Sequence, residues 1–534
     1  MTSIDNIIRP VGPHAQFNTA RHSLGILRAV IVTCRYRIPA RCLQQQSSSL
    51  QDAIENALAC VILKQGLLGV GIAAEDTKEP LFVHLKTIDM RRMIEWKEII
   101  TQATSNININ ANDEGGSQEG EEEARQEDRL LRSHEKYHEP LWDDLAGKPG
   151  WKIVVQHDPR QLRLPARDDV LLSFDISFCF HHAYADGKGG YIFHSNLQRA
   201  LNDGTRPTEL QNHILHLPTP PVLPPAMDPL IPFSQSWSFM LRTVWTEVVG
   251  GLPLPLFLRR LLGFEANEAE IPWTGAPIDA SNPTTLVRTL FKLDDEAQLK
   301  RILAQCRSHK ASLTGLLHAL VARSLARRVK DRSFRSSTPI SLAGYADPKV
   351  AGSAFKSGET IHCLVTATSY NHTLATCGQL RRNVDELDTP LGSDEAVWAL
   401  AQDVTASLRT KAASLPRDDV MSLSGLVGDW HELFRKKYGK ERGETFEVSN
   451  LGSLDAGLSG SGDEGSDPTT RSWFIDRAIF SQGNSTGPAL NINVAGVAEH
   501  GIYTTVSWQD GIVGVRLVEE LADDVQTWVT ELGK

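Results

Sequence analysis

The pattern of hydrophobic and polar residues is most regular at residues 171–180, where it predicts a β-strand. Apolar side chains occupy every second position, and the residues between them are polar or small. The apolar set is Phe174, Ile176, Phe178 and Phe180, and the other set is Ser173, Asp175, Ser177 and Cys179. A period of two is typical of a strand that buries one face and leaves the other polar. We therefore expect a half-buried strand here.

Similar patterns predict further strands and helices along the chain. Strands are expected at 29–37 and 286–293, and a β-hairpin is expected at 490–508, with its turn at 499–501. A helix is expected from Ser49, a candidate N-cap, to residue 64. Another is expected to open at Ala311-Ser-Leu-Thr, because the leucines that follow recur at helical spacing.

The length of the chain predicts two domains, because a single hydrophobic core stops growing at about 250–300 residues. We expect an N-terminal half over residues 1–220 and a C-terminal half over residues 285–534. Residues 221–284, which are rich in proline and then in apolar residues, are interpreted as a crossover. Residues 105–128 are rich in asparagine and then in acids, and we predict a disordered insertion there. Residues 455–470 are predicted to be a flexible insertion.

Residues 236–264 of the crossover are unusually apolar for a connecting segment. Charged residues and prolines within this stretch exclude a membrane-spanning helix. We favour packing of these residues against the protein itself. The alternative is contact with a membrane surface, with Arg259 and Arg260 at the lipid headgroups.

Composition and charge argue against several classes of protein. A hydrophobic fraction of 41% and a charged fraction of 22% are ordinary for a soluble globular protein. A net charge of −10 and a pI near 6.0 argue against nucleic-acid binding. Seven cysteines without paired spacing fit a reducing compartment, and the first residues lack a secretory signal pattern. We expect a cytoplasmic monomer, with peripheral association to an intracellular membrane as the alternative.

A tandem histidine, His181-His182, directly follows the predicted strand 171–180 and is the clearest candidate for chemistry. A neutral imidazole titrates near pH 6.5, so a rigidly held histidine can take a proton from a hydroxyl and return it. Asp186 lies one tight turn after His182 and is expected to anchor the loop. Gly187 is expected to permit a backbone angle that a side chain would resist. By spacing alone, a polar loop with two surface histidines is an equally good interpretation.

A second histidine pattern at residues 134–138 matches the zinc-protease pattern His-Glu-x-x-His. Zinc chemistry would need both histidines on a buried helix and a third ligand. Here Pro140 follows at once, and the preceding segment is predicted to be disordered. We therefore predict no metal site.

The segment His182-Ala-Tyr-Ala-Asp186-Gly187 resembles the His-x-x-x-Asp-Gly motif of the chloramphenicol-acetyltransferase-like superfamily. That superfamily includes CoA-dependent acyltransferases and the condensation domains of nonribosomal peptide synthetases. Other segments are similar to fungal alcohol O-acetyltransferases within it, in the expected order along most of the chain. These segments are residues 11–25, Leu141-Trp142, Lys148-Pro-Gly-Trp-Lys152, Phe446–Gly452, Phe480–Gly483 and Val506–Val513. The histidine motif is the most specific of them.

The resemblance implies an α/β fold of two similar domains, each a mixed β-sheet flanked by helices, with an active-site tunnel between them. It implies transfer of an acetyl group from acetyl-CoA, or of another acyl group from its CoA thioester, to the hydroxyl of a small-molecule alcohol. The acyl-CoA would be a co-substrate, and no permanently bound cofactor is implied.

The resemblance also assigns roles to residues. His182 would be the general base, with His181 as its supporting neighbour. Asp186 would be a structural anchor in need of a cationic partner, for which Arg21 is one candidate among many arginines. By their place in the motif order, two further residues are candidates for the substrate side of the site. These are Asn450 and Gln482.

Two other functions stay open on the sequence. One is a condensation-type enzyme that takes acyl groups from a carrier protein and forms an amide or ester. We expect this less, since no carrier or adenylation module adjoins the motif. The other is a noncatalytic binding protein on the same fold, against which the intact His182 and Asp186-Gly187 argue. The alcohol itself stays open among volatile alcohols, sterols and hydroxylated secondary metabolites.

Overall fold

A computed structural model describes most of the chain. The described residues are 6–45, 49–99, 115–165, 167, 169–245, 271–385, 391–457, 473–483 and 486–534. Parts of three predicted segments lie outside them. These parts are residues 105–114 and 458–470 of the two insertions and residues 246–264 of the apolar stretch.

The described residues form strands and helices throughout both halves of the chain. In chain order the strands are β1 (Ile7–Pro10), β2 (Val30–Pro39), β3 (Val70–Ala73), β4 (Leu81–His84), β5 (Thr87–Asp89), β6 (Ile94–Glu98), β7 (Trp151–His157), β8 (Leu171–Phe180), β9 (Leu210–Gln211), β10 (Ile214–His216), β11 (Thr285–Leu293), β12 (Phe334–Ser341), β13 (Val365–His372), β14 (Phe446–Leu454), β15 (Phe474–Gln482), β16 (Leu490–Val497) and β17 (Gly501–Gln509). The longer helices are α1 (Pro13–Ser23), α2 (Leu50–Lys64), α3 (Gly115–His138), α4 (Gly187–Asp203), α5 (Trp237–Val244), α6 (Glu296–Ser308), α7 (Leu313–Arg328), α8 (Leu374–Asp385), α9 (Glu395–Ser414) and α10 (Val515–Leu532). Short helices cover Ala40–Gln45, Met90–Met93, Met227–Leu230, Pro348–Ala351 and Trp430–Arg435.

The strands assemble into two large mixed sheets and two small ones. The N-terminal sheet has the strand order β15-β2-β8-β7-β6, and the C-terminal sheet has the order β11-β17-β16-β14-β12-β13. Both contain parallel and antiparallel neighbours, because β6 runs parallel to β7 and β14 runs parallel to β12 and β16. The small sheets have the orders β1-β4-β3 and β5-β10-β9. Mixed sheets combined with helices confirm the predicted α/β class.

Strand β15 comes from the C-terminal part of the chain but completes the N-terminal sheet. It pairs antiparallel with β2, with Gln482 opposite Val30. The hydroxyl of Thr505 on β17 also donates to the carbonyl of Phe480, at 2.6 Å. Strand β15 therefore links the two sheets. A division of the chain into residues 1–220 and 285–534 does not separate the two sheets, because β15 belongs to the second range but lies in the N-terminal sheet.

Local sequence signals place several elements where they were predicted. Ser49 and Asp52 form a reciprocal capping box at the start of α2, in which each side chain accepts from the main-chain amide of the other. Ser312 caps α7 by accepting from the amide of Gly315 at 3.1 Å. The predicted strands are confirmed as β2, β8 and β11, and the hairpin is confirmed as β16 and β17.

Residues 115–128, predicted to be disordered, instead form the first half of helix α3. The prediction of disorder was based on the acidic residues alone, but apolar residues follow on the same helix. Tyr137 packs with Ile31, Val154 and Cys179 on the outer face of the N-terminal sheet. Because α3 covers this face, the Cys179 side of β8 is also buried, and β8 is not the half-buried strand that its alternation suggested.

The His-Glu-x-x-His residues lie on helix α3, although the segment before them was predicted to be disordered. His134 and His138 are buried one turn apart, and each places a ring nitrogen 2.8 Å from the hydroxyl of Ser481. The other ring nitrogen of His134 lies 2.7 Å from the hydroxyl of Thr33. These contacts tie α3 to β15 and β2, so the pair takes part in packing.

The apolar stretch after residue 236 does not pack in the expected way. Trp237 is 84% exposed and Leu241 is 67% exposed, so the favoured packing against the protein is wrong for these two residues. Within the described ranges no helix is long and apolar enough to cross a membrane.

Candidate active site

The tandem histidine lies in a tight loop between β8 and α4. The amide of His181 donates to the carbonyl of Gly150 at 2.8 Å, and the amide of Tyr184 donates to the carbonyl of His181 at 3.0 Å. A Cβ at residue 150 would lie 2.8 Å from the Tyr184 ring. This close approach explains why the Lys-Pro-Gly-Trp-Lys segment needs a glycine beside the histidine loop.

His182 lies deep between the two halves of the chain, yet its side chain keeps some accessible surface. Its Nδ1 lies 3.3 Å from Sγ of Cys363, and the ring also donates to its own main-chain carbonyl, which only Nδ1 can reach. Among the described residues, none hydrogen-bonds to Nε2. Burial and then the charge of Arg21 hold the pKa of His182 well below 6.5. The ring is therefore neutral at neutral pH, with Nε2 free.

Asp186 fastens the histidine loop to the C-terminal half. Its carboxylate accepts from the amides of Gly189 at 2.8 Å and Leu364 at 2.9 Å, and it lies 3.3 Å from Nδ1 of His362. Burial alone would raise the pKa of Asp186, but His362 and the two amides hold it below 3.8. The suggested partner, Arg21, is wrong, because His362 occupies that place.

Gly187 begins α4 without the positive φ that the sequence suggested. A Cβ at this position would lie 2.3 Å from Cδ2 of Leu451. The glycine is therefore needed because β14 approaches α4 closely, and the predicted backbone reason is wrong.

His181 and His22 share one carboxylate, that of Glu75. Nε2 of His181 lies 2.7 Å from Oε1 of Glu75, and Nδ1 of His22 lies 2.8 Å from the same oxygen. The second nitrogen of each ring accepts a hydrogen bond from a main-chain amide. The donor to His181 is the amide of Ala183, at 2.9 Å, and the donor to His22 is the amide of Trp142, at 3.0 Å. Each imidazole therefore keeps its proton on the nitrogen that faces Glu75. The group is spaced closely enough for a metal ion, but these nitrogens act as donors to a carboxylate.

Glu75→Gln is expected to lower the free energy of unfolding by about 1–3 kcal/mol at pH 7, because its amide nitrogen would face the ring N–H of His22, whose Nδ1 also lies 3.0 Å from Oε2 of Glu75. The two histidines hold the pKa of Glu75 at about 2 against the burial that would raise it. The stabilisation is therefore present above pH 4.5 and is lost as the pH falls toward 2. Urea unfolding at pH 7 and pH 3.5 measures this. Asp76→Asn, on the same exposed turn, is the control, and an equal loss in both variants would contradict the prediction.

Helix α1 presents three polar side chains to the histidine. His14, Asn18 and Arg21 are spaced at one face of the helix. Nε2 of His14 and Nδ2 of Asn18 each lie 3.5 Å from Sγ of Cys363. The guanidinium of Arg21 donates to Oδ1 of Asn18. These contacts place helix α1 against the side of the His182 ring that carries Nδ1.

The two predicted substrate-side residues lie on different strands. Gln482, at the end of β15, donates to Oε1 of Glu447 at 2.7 Å. Burial and the nearby Glu444 raise the pKa of Glu447 to about 7. Asn450 contacts helix α7 and its own strand, since it donates to the hydroxyl of Thr314 at 3.2 Å and accepts from the amide of Gly452. Their proximity to a substrate stays a prediction.

A cavity adjoins the histidine loop on the side of Cys363. Its walls are mostly apolar, with a few polar groups that include His14 and Asp228. The apolar lining includes Val11, Leu67, Phe82, Met227, Leu230 and Phe355. Such a mixture is typical of sites for small organic molecules.

Sequence reasoning missed several residues that contact the motif. Glu75 follows strand β3 and is distant from His181 along the chain, although the two side chains are in contact. His362 and Cys363 lie in a loop before β13. None of them has a distinctive neighbouring pattern. His14 stands within the N-terminal block that resembles the fungal enzymes, which was a usable signal.

The chain is similar to known acetyltransferases. A probable alcohol acetyltransferase from Fusarium pseudograminearum is 26% identical over 548 residues, covering 99% of this chain and 96% of that protein. A probable alcohol acetyltransferase from Aspergillus fumigatus is 23% identical over 520 residues, covering 94% and 95%. The structure of a trichothecene 15-O-acetyltransferase from Fusarium sporotrichioides shares the fold, with a TM-score of 0.61, 12% identity and coverage of 98% and 94%.

A family model also matches this chain. It is described as alcohol acetyltransferase and covers residues 118–523, which is well over half of the sequence. The match includes the histidine loop, helix α4 and strands β14 to β17. The chain therefore belongs to the alcohol acetyltransferase family and is an acyltransferase.

Proposed function

We propose that the protein transfers an acetyl group from acetyl-CoA to the hydroxyl of a small-molecule alcohol, with His182 as the general base. The observation that carries this proposal is the state of the His182 ring. It is neutral, it lies deep between the two halves, and its Nε2 has no hydrogen-bond partner among the described residues. A ring in this state can accept a proton as soon as a hydroxyl approaches it.

The proposed reaction proceeds through one tetrahedral intermediate. The alcohol oxygen forms a bond to the thioester carbon, its proton passes to Nε2 of His182, and the carbonyl electron pair moves onto the carbonyl oxygen. The intermediate then breaks its carbon–sulfur bond. The electron pair on the oxygen re-forms the carbonyl, the electrons of the carbon–sulfur bond leave with the sulfur, and His182 gives its proton to that sulfur, which releases CoA thiol and the acetate ester. No covalent acyl-enzyme is needed.

The contacts around His182 support separate roles for His182 as the base and Asp186 as the anchor of the loop. Cys363 and the main-chain carbonyl fix the ring through Nδ1, and Asp186 holds the loop without lying next to Nε2. Burial holds the pKa of the Cys363 thiol well above 9, so this cysteine is a poor nucleophile and a better packing partner.

A thiol-release assay tests the proposal. The purified protein is incubated with acetyl-CoA and one alcohol at a time from volatile alcohols, sterols and hydroxylated terpenoids, and the ester is identified by mass spectrometry. We expect equal amounts of thiol and ester with at least one class. Thiol release without ester would indicate hydrolysis, and ester formed only from a carrier-bound acetyl group would favour a condensation-type enzyme. Failure with every acceptor and both donors would contradict the proposal.

A further inference from the structure

Arg21 is a mostly buried cation, and the described residues offer it no ion-paired carboxylate. Its Nη2 donates to the neutral amide of Asn18, and its Cζ lies 4.3 Å from the ring centroid of Phe17. Its Nε has no hydrogen-bond partner within the described part of the chain. Among the residues that the structure describes, no carboxylate forms an ion pair with it. A buried charge in this state costs stability, so its position needs another explanation.

The contacts of Arg21 link it to the histidine loop. Asn18 connects it to Cys363, and Cys363 lies 3.3 Å from the His182 ring. The titratable groups that feel its charge are His14, His182, Cys363 and Glu447. Arg21 therefore provides positive charge at the point where α1 meets the histidine loop.

We propose that Arg21 is a catalytic residue that stabilises the negative charge formed on the thioester carbonyl oxygen. This inference rests on the proposed acetyl transfer. When the alcohol oxygen bonds to the thioester carbon, the carbonyl electron pair moves onto oxygen, and His182 receives the hydroxyl proton. The oxyanion then needs donors that are already in place. When the carbon–sulfur bond breaks, the electron pair returns from that oxygen to re-form the carbonyl, and Arg21 has neither gained nor lost a proton.

The geometry favours this role over an anchoring one. His362 already occupies the place beside Asp186, so Arg21 is not needed there. The Nη2 contact with Asn18 holds the guanidinium in position, and the residue as a whole keeps some accessible surface. A fixed donor that costs no reorganisation is the arrangement that lowers a barrier most effectively.

Two thioesters and two variants test the proposal. Arg21→Gln and Arg21→Lys are assayed with acetyl-CoA and with acetyl-pantetheine, which lacks the nucleotide phosphates. We expect kcat of Arg21→Gln to fall by roughly 10²–10³-fold, as for loss of an oxyanion donor, and equally with both thioesters. Arg21→Lys should keep part of the activity. Removing a cation that disfavours the imidazolium should also move the acidic limb of the kcat/KM profile to higher pH.

Several outcomes would overturn the inference. An unchanged kcat would do so, and so would a higher KM for acetyl-CoA with acetyl-pantetheine unaffected, since that result indicates phosphate binding. Arg28→Gln, which removes a partly buried arginine seven residues later, is the matched control. If Arg21→Gln fails to fold, Arg21→Lys is assayed alone, and a full kcat with both thioesters in that variant would count against the proposal. Inactivity of the wild-type protein with both thioesters would instead be a failure of the proposed acetyl transfer.

Discussion

His182→Gln is expected to reduce kcat/KM for acetyl transfer by roughly 10²–10⁴-fold, the usual contribution of a positioned general base. Glutamine keeps polar atoms near Cys363 but cannot take a proton from the alcohol. The described contacts of the imidazole are few, with Cys363 and with its own carbonyl, so the fold should persist. Steady-state kinetics measure the loss of activity, and thermal unfolding checks the fold.

The matched control for this variant is His216→Gln, because His216 is exposed on β10, away from the histidine loop. It should keep both activity and melting temperature. A variant His182→Gln with more than about a tenth of the wild-type kcat/KM would contradict the role of general base. So would an equal loss of activity in both variants.

The pH profile gives an independent check on His182. The base works when it is deprotonated, so activity is present above its pKa and is lost as the pH falls through that value. Burial and Arg21 lower the pKa of His182, so the limb belongs well below pH 6.5. We expect kcat/KM to show no loss from this group between pH 6 and pH 8. A limb at pH 6.5 that disappears in His182→Gln would place the histidine in a more solvated environment than the structure does.

The sequence was informative wherever chemistry depends on neighbours along the chain. The alternation at 171–180, the Ser49 cap and the spacing from His182 to Asp186 are local signals, and the structure places these elements accordingly. Local signals also misled. The acidic composition of residues 115–128 suggested disorder, yet Tyr137 and its neighbours on the same helix bury a face against the N-terminal sheet.

The rest of the site depends on contacts between distant residues. Cys363, which contacts His182, lies 181 residues from it along the chain, and His362 is the neighbour of Cys363. Glu75, which contacts His181, lies 106 residues from it along the chain. No spacing rule connects such positions, because they meet only when the chain has folded. Sequence order suggested Arg21 as a partner of Asp186. In the structure His362 lies next to Asp186 instead, and its position could not be inferred from the sequence.

Asp186→Asn is expected to lower the free energy of unfolding by about 3 kcal/mol at pH 7 and to reduce acyl transfer strongly. The carboxylate accepts from the amides of Gly189 and Leu364, and an asparagine would place its own NH₂ against one of these donors. Leaving a buried donor unpaired costs about 1–3 kcal/mol, and the 3.3 Å contact of the carboxylate with Nδ1 of His362 is lost as well. Activity falls with stability because the same bonds hold His182 in place.

The sign of the pH dependence follows from the lowered pKa of Asp186. Its contribution to stability is present above the unfolded value of 3.8 and is lost as the pH falls through the lower folded value. Urea unfolding should therefore show the largest difference between wild type and Asp186→Asn at neutral pH, and a smaller one below pH 3.8. Asp203→Asn, at the exposed far end of the same helix, should stay within about 0.5 kcal/mol of wild type. An Asp186→Asn protein with wild-type stability but no activity would mean that Asp186 acts on the reaction itself and is more than an anchor.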